Sequence, residues 1–158
     1  MIKVLFICHG NICRSPMAEF VLKDMVTKQG IADQFEIASA ATSTEEIWNG
    51  IGNPVYPPAR EELAKHGIGC EGKRAVRLKA SDYDYYDYLL GMDTMNIRNI
   101  EKITGKKHGK ISLLLAFAGR AESISDPWYT GKFSKTYEDV EEGCKAFLEW
   151  LRARNEIK

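Results

Sequence analysis

The 158-residue chain predicts an α/β fold: a single three-layer domain, residues 1–158, in which a four-stranded parallel sheet carries helices on both faces. Three observations lead there. Residues 2–7 form a continuous apolar run apart from Lys3, the pattern of a strand buried on both sides. Strand-like and helix-like segments then alternate to the end of the chain, and parallel strands joined through helices cross over right-handedly. Finally, the first strand runs straight into a glycine-bearing loop, Cys8-His9-Gly10-Asn11-Ile12-Cys13-Arg14-Ser15. Loops at the carboxyl ends of such strands are where open parallel sheets bind ligands.

The elements follow in order. Residues 16–29 predict a helix, with Pro16 suited to its first turn and Met17, Phe20, Val21 and Met25 at helical spacing. Residues 35–38 predict a second strand. A loop rich in Gly, Asn, Thr and Pro spans 39–57, and loops of this length in a small domain are usually functional. Residues 58–66 make a short helix stopped by Gly67. The run 82–88, alternating Asp and Tyr, reads as a solvated strand entry with its tyrosines on the sheet, and 86–92 is the third strand. Asp93 or Thr94 can cap a helix over 94–104. Residues 110–115 are the fourth strand. The last helix, 135–154, aligns Tyr137, Val140, Cys144, Phe147, Leu148 and Leu151 on one face.

Composition narrows the function. The 22 basic and 22 acidic residues cancel, which leaves no basic excess to neutralise nucleic-acid phosphates. No run nears the ~20 apolar residues of a membrane span. One lysine and a six-residue strand do not make a signal peptide, so the expected location is cytoplasmic, with a monomer as the default state. The four cysteines do not space like a secreted disulfide framework. No metal is expected, because Cys8, His9 and Cys13 lack the Cys-x2-Cys and distant ligand pair of a structural zinc site. No organic cofactor is expected either.

The loop carries the chemistry. A cysteine and an arginine bracket five residues, which lets successive backbone N–H groups curl around one tetrahedral oxyanion such as phosphate. Cys8 lies beneath the anion as nucleophile, and Arg14 grips it from the side with a planar fork that lysine cannot match. The loop feeds a helix N-terminus, where orphan N–H groups and the dipole favour negative charge. Gly10 allows a positive φ or a close approach to the anion. Asn11 tolerates left-handed backbone and can hold the loop by side-chain hydrogen bonds. The Ser15 hydroxyl is placed to donate to the Cys8 sulfur or to cap the helix. Together these residues point to phosphoryl transfer through a cysteinyl-phosphate.

The stretch Val4-Leu5-Phe6-Ile7-Cys8-His9-Gly10-Asn11-Ile12-Cys13-Arg14-Ser15-Pro16-Met17-Ala18-Glu19 resembles the signature of low-molecular-weight protein tyrosine phosphatases. Ser39-Ala40-Ala41-Thr42-Ser43, Trp48-Asn49, His66-Gly67-Ile68, Met92-Asp93 with Asn96, and Asp126-Pro127 follow in that family's order. The resemblance implies further roles. Ser39 and His66 become the partners of Asn11, and Asp93 a hydrogen-bond partner near the loop. Asp126 becomes the general acid that protonates the leaving group and then the base toward water; alone, Asp-Pro would read as a turn. Ile12, Trp48, Asn49, Trp128 and Tyr129 become pocket residues around a flat phosphotyrosine ring. Cys13 becomes a thiol able to condense with an oxidised Cys8. The implied substrates are tyrosine-phosphorylated proteins.

The chain departs from the family pattern in places. Trp128-Tyr129 stands where two tyrosines are usual, His9 where leucine is common, and Gly72 near a customary histidine. Pro57-Pro58-Ala59-Arg60 replaces Asp-Pro-Arg-Ala. Related arginine phosphatases carry threonine at the Ile12 position, so isoleucine favours phosphotyrosine. An arsenate reductase of the same architecture is the alternative enzyme, yet it needs a second cysteine pair, and residues 71–143 contain no cysteine. A phosphate-binding or redox-sensing protein is the alternative non-enzyme; it would need no general acid at Asp126.

Overall fold

A computed structural model describes residues 1–107 and 109–157. In chain order the elements are β1 (Ile2–Cys8), α1 (Arg14–Lys28), β2 (Phe35–Ala41), β3 (Ile47–Trp48), β4 (Ile51–Gly52), α2 (Pro57–Lys65), α3 (Asp82–Tyr85), β5 (Tyr88–Gly91), α4 (Thr94–Thr104), β6 (Ile111–Leu113), α5 (Pro127–Thr130) and α6 (Phe133–Ala153). Four strands make one sheet in the order β2-β1-β5-β6, all parallel. The α/β class and the four-stranded parallel sheet expected from sequence are both present.

β1 is central and sorts its side chains by strand period. Val4, Phe6 and Cys8 face one core, shared with α1, α2 and α6, whereas Leu5 and Ile7 face a second core closed by Ile97 and Ile100 of α4. Every residue from Val4 to Cys8 is buried, which is why the run reads as unbroken apolar sequence. From β1 the chain crosses to β2 on one side and returns past β1 to β5 on the other. The order reverses between β1 and β5, so the crevice at their carboxyl ends is the ligand position of such a sheet. The Cys8 loop leaves β1 there, and Asp93 follows β5.

Several boundaries differ from the sequence reading. α1 starts at Arg14, not at 16, because the Met17 N–H already bonds the Cys13 carbonyl at 3.1 Å. Pro16 then sits third, where a missing N–H costs no intrahelical bond. The expected 39–57 loop contains the end of β2 and a β3–β4 hairpin turned by Asn49 (φ 50°) and Gly50 (φ 77°), an Asn-Gly corner that type I′ turns require. The Asp-Tyr run enters the sheet only at its last residue, Tyr88, where β5 begins; before that, Asp82–Tyr85 coil into α3, with Tyr83 and the following Tyr86 against the second core and Tyr85 exposed. The fourth strand stops at Leu113 and continues as a 3-10 turn over Leu114–Ala118. Asp93, rather than Thr94, caps α4, and Asn96 completes a capping box.

Candidate active site

The Cys8 side chain lies at the end of β1, 3% exposed. Its sulfur receives the Asn11 backbone N–H at 3.3 Å and stands 3.0 Å from the Ser15 hydroxyl. Asn11 is the loop's left-handed residue, at φ 59°; Gly10 is not at positive φ, so the freedom expected of glycine is used one position later. What Gly10 provides is space: a Cβ there would approach Glu46 Cγ to 3.3 Å. The loop itself is fastened to β2's end by Thr42 N–H to the Cys8 carbonyl (3.0 Å) and Ser43 N–H to the His9 carbonyl (3.1 Å).

Arg14 is the first residue of α1, and its side chain is 4% exposed. Nη1 donates to Asp93 Oδ2 at 2.6 Å and to the Ile124 carbonyl at 3.0 Å. Nη2 lies 3.5 Å from Asp126 Oδ2. Burial alone would lower the guanidinium's pKa; Cys8, Asp93 and Asp126 outweigh it and hold it above its ordinary value. Asp126 has two occupations. Oδ1 caps α5 by accepting the Trp128 N–H at 3.0 Å, and Oδ2 turns toward Arg14. The turn reading and the cleft position of Asp126 therefore coexist.

Behind the loop, Asn11 Nδ2 donates to Ser15 Oγ (2.8 Å) and Ser39 Oγ (2.9 Å), and Asn11 Oδ1 accepts the Val76 N–H at 3.1 Å. Ser39 is thus where the resemblance placed it, but His66 is not among the partners of Asn11. His66 sits at the end of α2, bonds Glu62 at 3.0 Å and stacks on Tyr137 at 3.7 Å between ring centroids. The third Asn11 contact comes instead from the backbone of Val76. Two side chains that the sequence reading gave no role join here. Ser39 donates to buried Glu19 at 2.5 Å, and Lys73 donates to the Ser39 carbonyl at 3.0 Å. Glu19 carried a signal in its place on the helix face turned to the sheet; Lys73 carried none.

A cleft of about 130 Å³ opens over the sulfur, lined by Cys8, His9, Gly10, Ile12, Cys13, Arg14, Glu45, Glu46, Asp126, Trp128 and Tyr129. Trp128 leans on Tyr56 at 4.8 Å, and Tyr129 is largely exposed. Trp48 and Asn49 do not line it: they form the outer end of the β3–β4 hairpin, with Trp48 72% exposed. Glu45 and Glu46, from the segment leading into that hairpin, occupy the wall, and Glu45 pairs with His9 Nε2 at 2.9 Å. No motif flagged these two glutamates. Burial, with the charges of Cys8 and Asp126 behind it, pushes the Cys13 thiol up to about 12, although Arg14 opposes them. All four cysteines are free.

A buried thiol that receives one backbone N–H and lies 3.0 Å from a hydroxyl thus stands at the switch point of a parallel sheet, the position at which such sheets bind ligands. A family model described as low molecular weight phosphotyrosine protein phosphatase matches residues 3–156. The low molecular weight protein-tyrosine-phosphatase YfkJ of Bacillus subtilis is 34% identical over 160 residues, covering 99% of this chain and 100% of the relative. The low molecular weight phosphotyrosine protein phosphatase of Gallus gallus is 39% identical over 152 residues, covering 92% and 93%. The crystal structure of Bacillus subtilis YfkJ matches with a TM-score of 0.91 at 34% identity, covering 98% of this chain and 96% of that one. That of DARP, a Drosophila arginine phosphatase, matches at 0.83 and 32%, covering 94% and 96%. The chain belongs to the low molecular weight phosphotyrosine protein phosphatase family and is an enzyme of the protein-tyrosine-phosphatase class.

Proposed function

We propose that this enzyme hydrolyses phosphotyrosine in proteins through a cysteinyl-phosphate on Cys8. The observation that carries the reading is the convergence of Cys8, Arg14 and Asp126 on one cleft, although Asp126 lies 112 residues beyond Arg14 in the chain. The Cys8 sulfur attacks phosphorus, and the P–O bond to the tyrosyl oxygen breaks. Asp126 gives its proton to that oxygen, while Arg14 and the loop amides, His9 to Ser15, hold the equatorial oxygens. Water then attacks phosphorus as Asp126 takes its proton, the S–P bond breaks, and inorganic phosphate leaves with the Cys8 thiolate restored. Ile12, Trp128 and Tyr129 supply the apolar and aromatic walls a phenyl ring needs.

Phosphotyrosine as substrate is supported by the names of the relatives and by Ile12, whose methyl groups offer a guanidinium no hydrogen bond. Thiol-relay arsenate reduction is disfavoured: besides Cys13, the other thiols are Cys70 and Cys144, both buried. We also infer action as one cytoplasmic domain and a monomer; among the described residues no helix is long and apolar enough to cross a membrane. The test is hydrolysis of para-nitrophenyl phosphate, a phosphotyrosine peptide and a phosphoarginine peptide, with chelator present, by wild type, Cys8→Ser and Asp126→Ala. Turnover of the phosphotyrosine peptide lost in Cys8→Ser, and slowed in Asp126→Ala with binding retained, is the expected result. Equal rates in all three proteins would overturn the mechanism, and preference for phosphoarginine would overturn the substrate.

A further inference from the structure

The hydrogen bonds behind the loop have a direction that ends on the nucleophile. Because the Val76 N–H needs an acceptor, Asn11 must turn Oδ1 toward it and Nδ2 toward the two serines. Ser15 accepts from Nδ2 and therefore has its own proton free for the Cys8 sulfur, 3.0 Å away. Ser39 likewise accepts from Nδ2 and gives its proton to Glu19 Oε1. The order of donors thus depends on a carboxylate 5% exposed, and a buried carboxylate needs a partner.

Two ammonium groups face Glu19. Lys23, one turn on in α1, reaches Oε2 at 2.6 Å with a side chain 43% exposed. Lys73 stands 3.7 Å from Oε1, is only 11% exposed, and spans Glu19 and the Ser39 carbonyl with one nitrogen. Burial pushes the Lys73 ammonium below its ordinary pKa; Glu19 and the more distant Cys8 charge oppose this, and Lys23 adds to it. Lys73 is not needed to dock its own segment. Backbone bonds already do that: Ala41 N–H to the Val76 carbonyl (2.7 Å), Leu78 N–H to the Ala41 carbonyl (2.8 Å) and Ala75 N–H to the Asn53 carbonyl (2.9 Å). A lysine has been desolvated where the backbone had no use for it.

We propose that Lys73 is a positioning residue for the chemistry at Cys8: its ammonium holds Glu19 and the Ser39 carbonyl together, so that Ser39, Asn11 and Ser15 keep the one donor order that leaves a hydroxyl proton on the sulfur. The proposal deepens the phosphatase reading and rests on it. Without Lys73, Glu19 is free to swing to Lys23 alone and Ser39 loses its acceptor. Ser39 can then turn its proton elsewhere, Asn11 relaxes, and the Ser15 donor is no longer fixed on Cys8.

The test compares wild type with Lys73→Met, Lys73→Arg, Glu19→Gln and the double variant Lys73→Met/Glu19→Gln. Alkylation of Cys8 by iodoacetamide, a neutral reagent, is followed from pH 4 to 9 by peptide mass spectrometry, beside kcat/KM for para-nitrophenyl phosphate. Arg14, Asp126 and Cys13 also face Cys8 and are unchanged throughout. Lys73→Met is expected to move the alkylation profile to higher pH. It should also slow alkylation at pH 6 and lower kcat/KM by roughly five- to tenfold, the loss expected of one hydroxyl donor no longer fixed on the sulfur. Lys73→Arg should restore most of both, and the double variant should be no worse than either single one, as expected of residues acting through each other. A folded Lys73→Met with the wild-type alkylation profile overturns the proposal, as do single effects that simply add. Should Lys73→Met fail to fold, Glu19→Gln with an unshifted profile overturns it equally. A wild type that hydrolyses no phosphoester, while Lys73→Met still shifts alkylation, would sink the phosphatase reading and leave the positioning of Cys8 standing.

Discussion

Replacing Arg14 by lysine keeps the charge and removes the fork, and the structure sets how much that should matter. Nη1 of Arg14 already directs both its hydrogens at Asp93 (2.6 Å) and the Ile124 carbonyl (3.0 Å). Nε and Nη2 are left to meet a phosphoryl group, Nη2 having only a long 3.5 Å contact to Asp126. A lysine ammonium cannot replace both halves. If it stays on Asp93 and Ile124 it abandons the oxyanion, and if it moves to the oxyanion it leaves Asp93 unpaired. Either way one to two charge-assisted hydrogen bonds are lost, each worth about 1.5–3 kcal/mol. The expected cost is about 3–5 kcal/mol, or roughly 10²–10⁴ in kcat/KM at 1.36 kcal/mol per decade. The assay is steady-state hydrolysis of para-nitrophenyl phosphate, with kcat and KM separated and folding checked by circular dichroism. Arg14→Lys should lower kcat more than it raises KM, because charge on the equatorial oxygens is met most fully in the transition state. A variant within tenfold of wild type would refute the assignment of Nε and Nη2 to the oxyanion.

Further expectations follow from other parts of the structure. Asp126→Asn keeps a good cap for α5, since asparagine also accepts the Trp128 N–H, so it should fold; its kcat should fall by roughly 10²–10⁴ for phenyl phosphate and less for para-nitrophenyl phosphate, whose leaving group needs little protonation. Equal losses on both esters would remove Asp126 from acid catalysis. Gly52→Ala places a Cβ 1.9 Å from the Ala75 carbonyl oxygen and must part the hairpin from the segment that carries Lys73 and Val76. A loss of about 1–3 kcal/mol is expected, seen as a Tm lower by roughly 3–10 °C, and an unchanged Tm would contradict the packing. Cys13, at about 12 when folded and near 9.0 when unfolded, binds a proton more tightly in the native state. Its contribution to stability is therefore complete below pH 9 and lost as pH rises from 9 toward 12. Urea midpoints measured from pH 8 to 11 should decline above 9, and less steeply in Cys13→Ala; a flat profile in the wild type would show the thiol is not held protonated.

How much of this was legible beforehand depends on whether the signal is local. The run from Val4 to Arg14 announces a buried strand, an anion loop and a helix start, because strand burial, loop spacing and helix N-terminus are all set by residues adjacent in sequence. Asp93 as a cap and Asp126-Pro127 as a turn are likewise local signatures. The hairpin at Asn49-Gly50 was in principle readable from its corner residues, but strands of two residues are too short to show alternation. The Asp-Tyr run failed for the opposite reason. Its tyrosines suit a strand by propensity, yet only Tyr83 and Tyr86 find the second core, and a helical turn is what presents those two together.

The sequence by itself determined the α/β class and the tight loop that brackets Cys8 and Arg14, since strand burial and loop spacing are set by neighbouring residues, whereas Asp126 was marked only by the family resemblance because Asp-Pro alone reads as a turn. Only the tertiary structure decided which groups stand behind Asn11. It exchanged His66 for the Val76 backbone, put Glu45 and Glu46 on the wall in place of Trp48 and Asn49, and buried Lys73 against Glu19. The contacts of Asn11, Glu19 and Lys73 join the 66–81 connection, the Cys8 loop with α1, and β2, and no sequence spacing encodes them. They follow from the Val76 N–H and the Glu19 carboxylate each needing a partner once the sheet and its helices have excluded water.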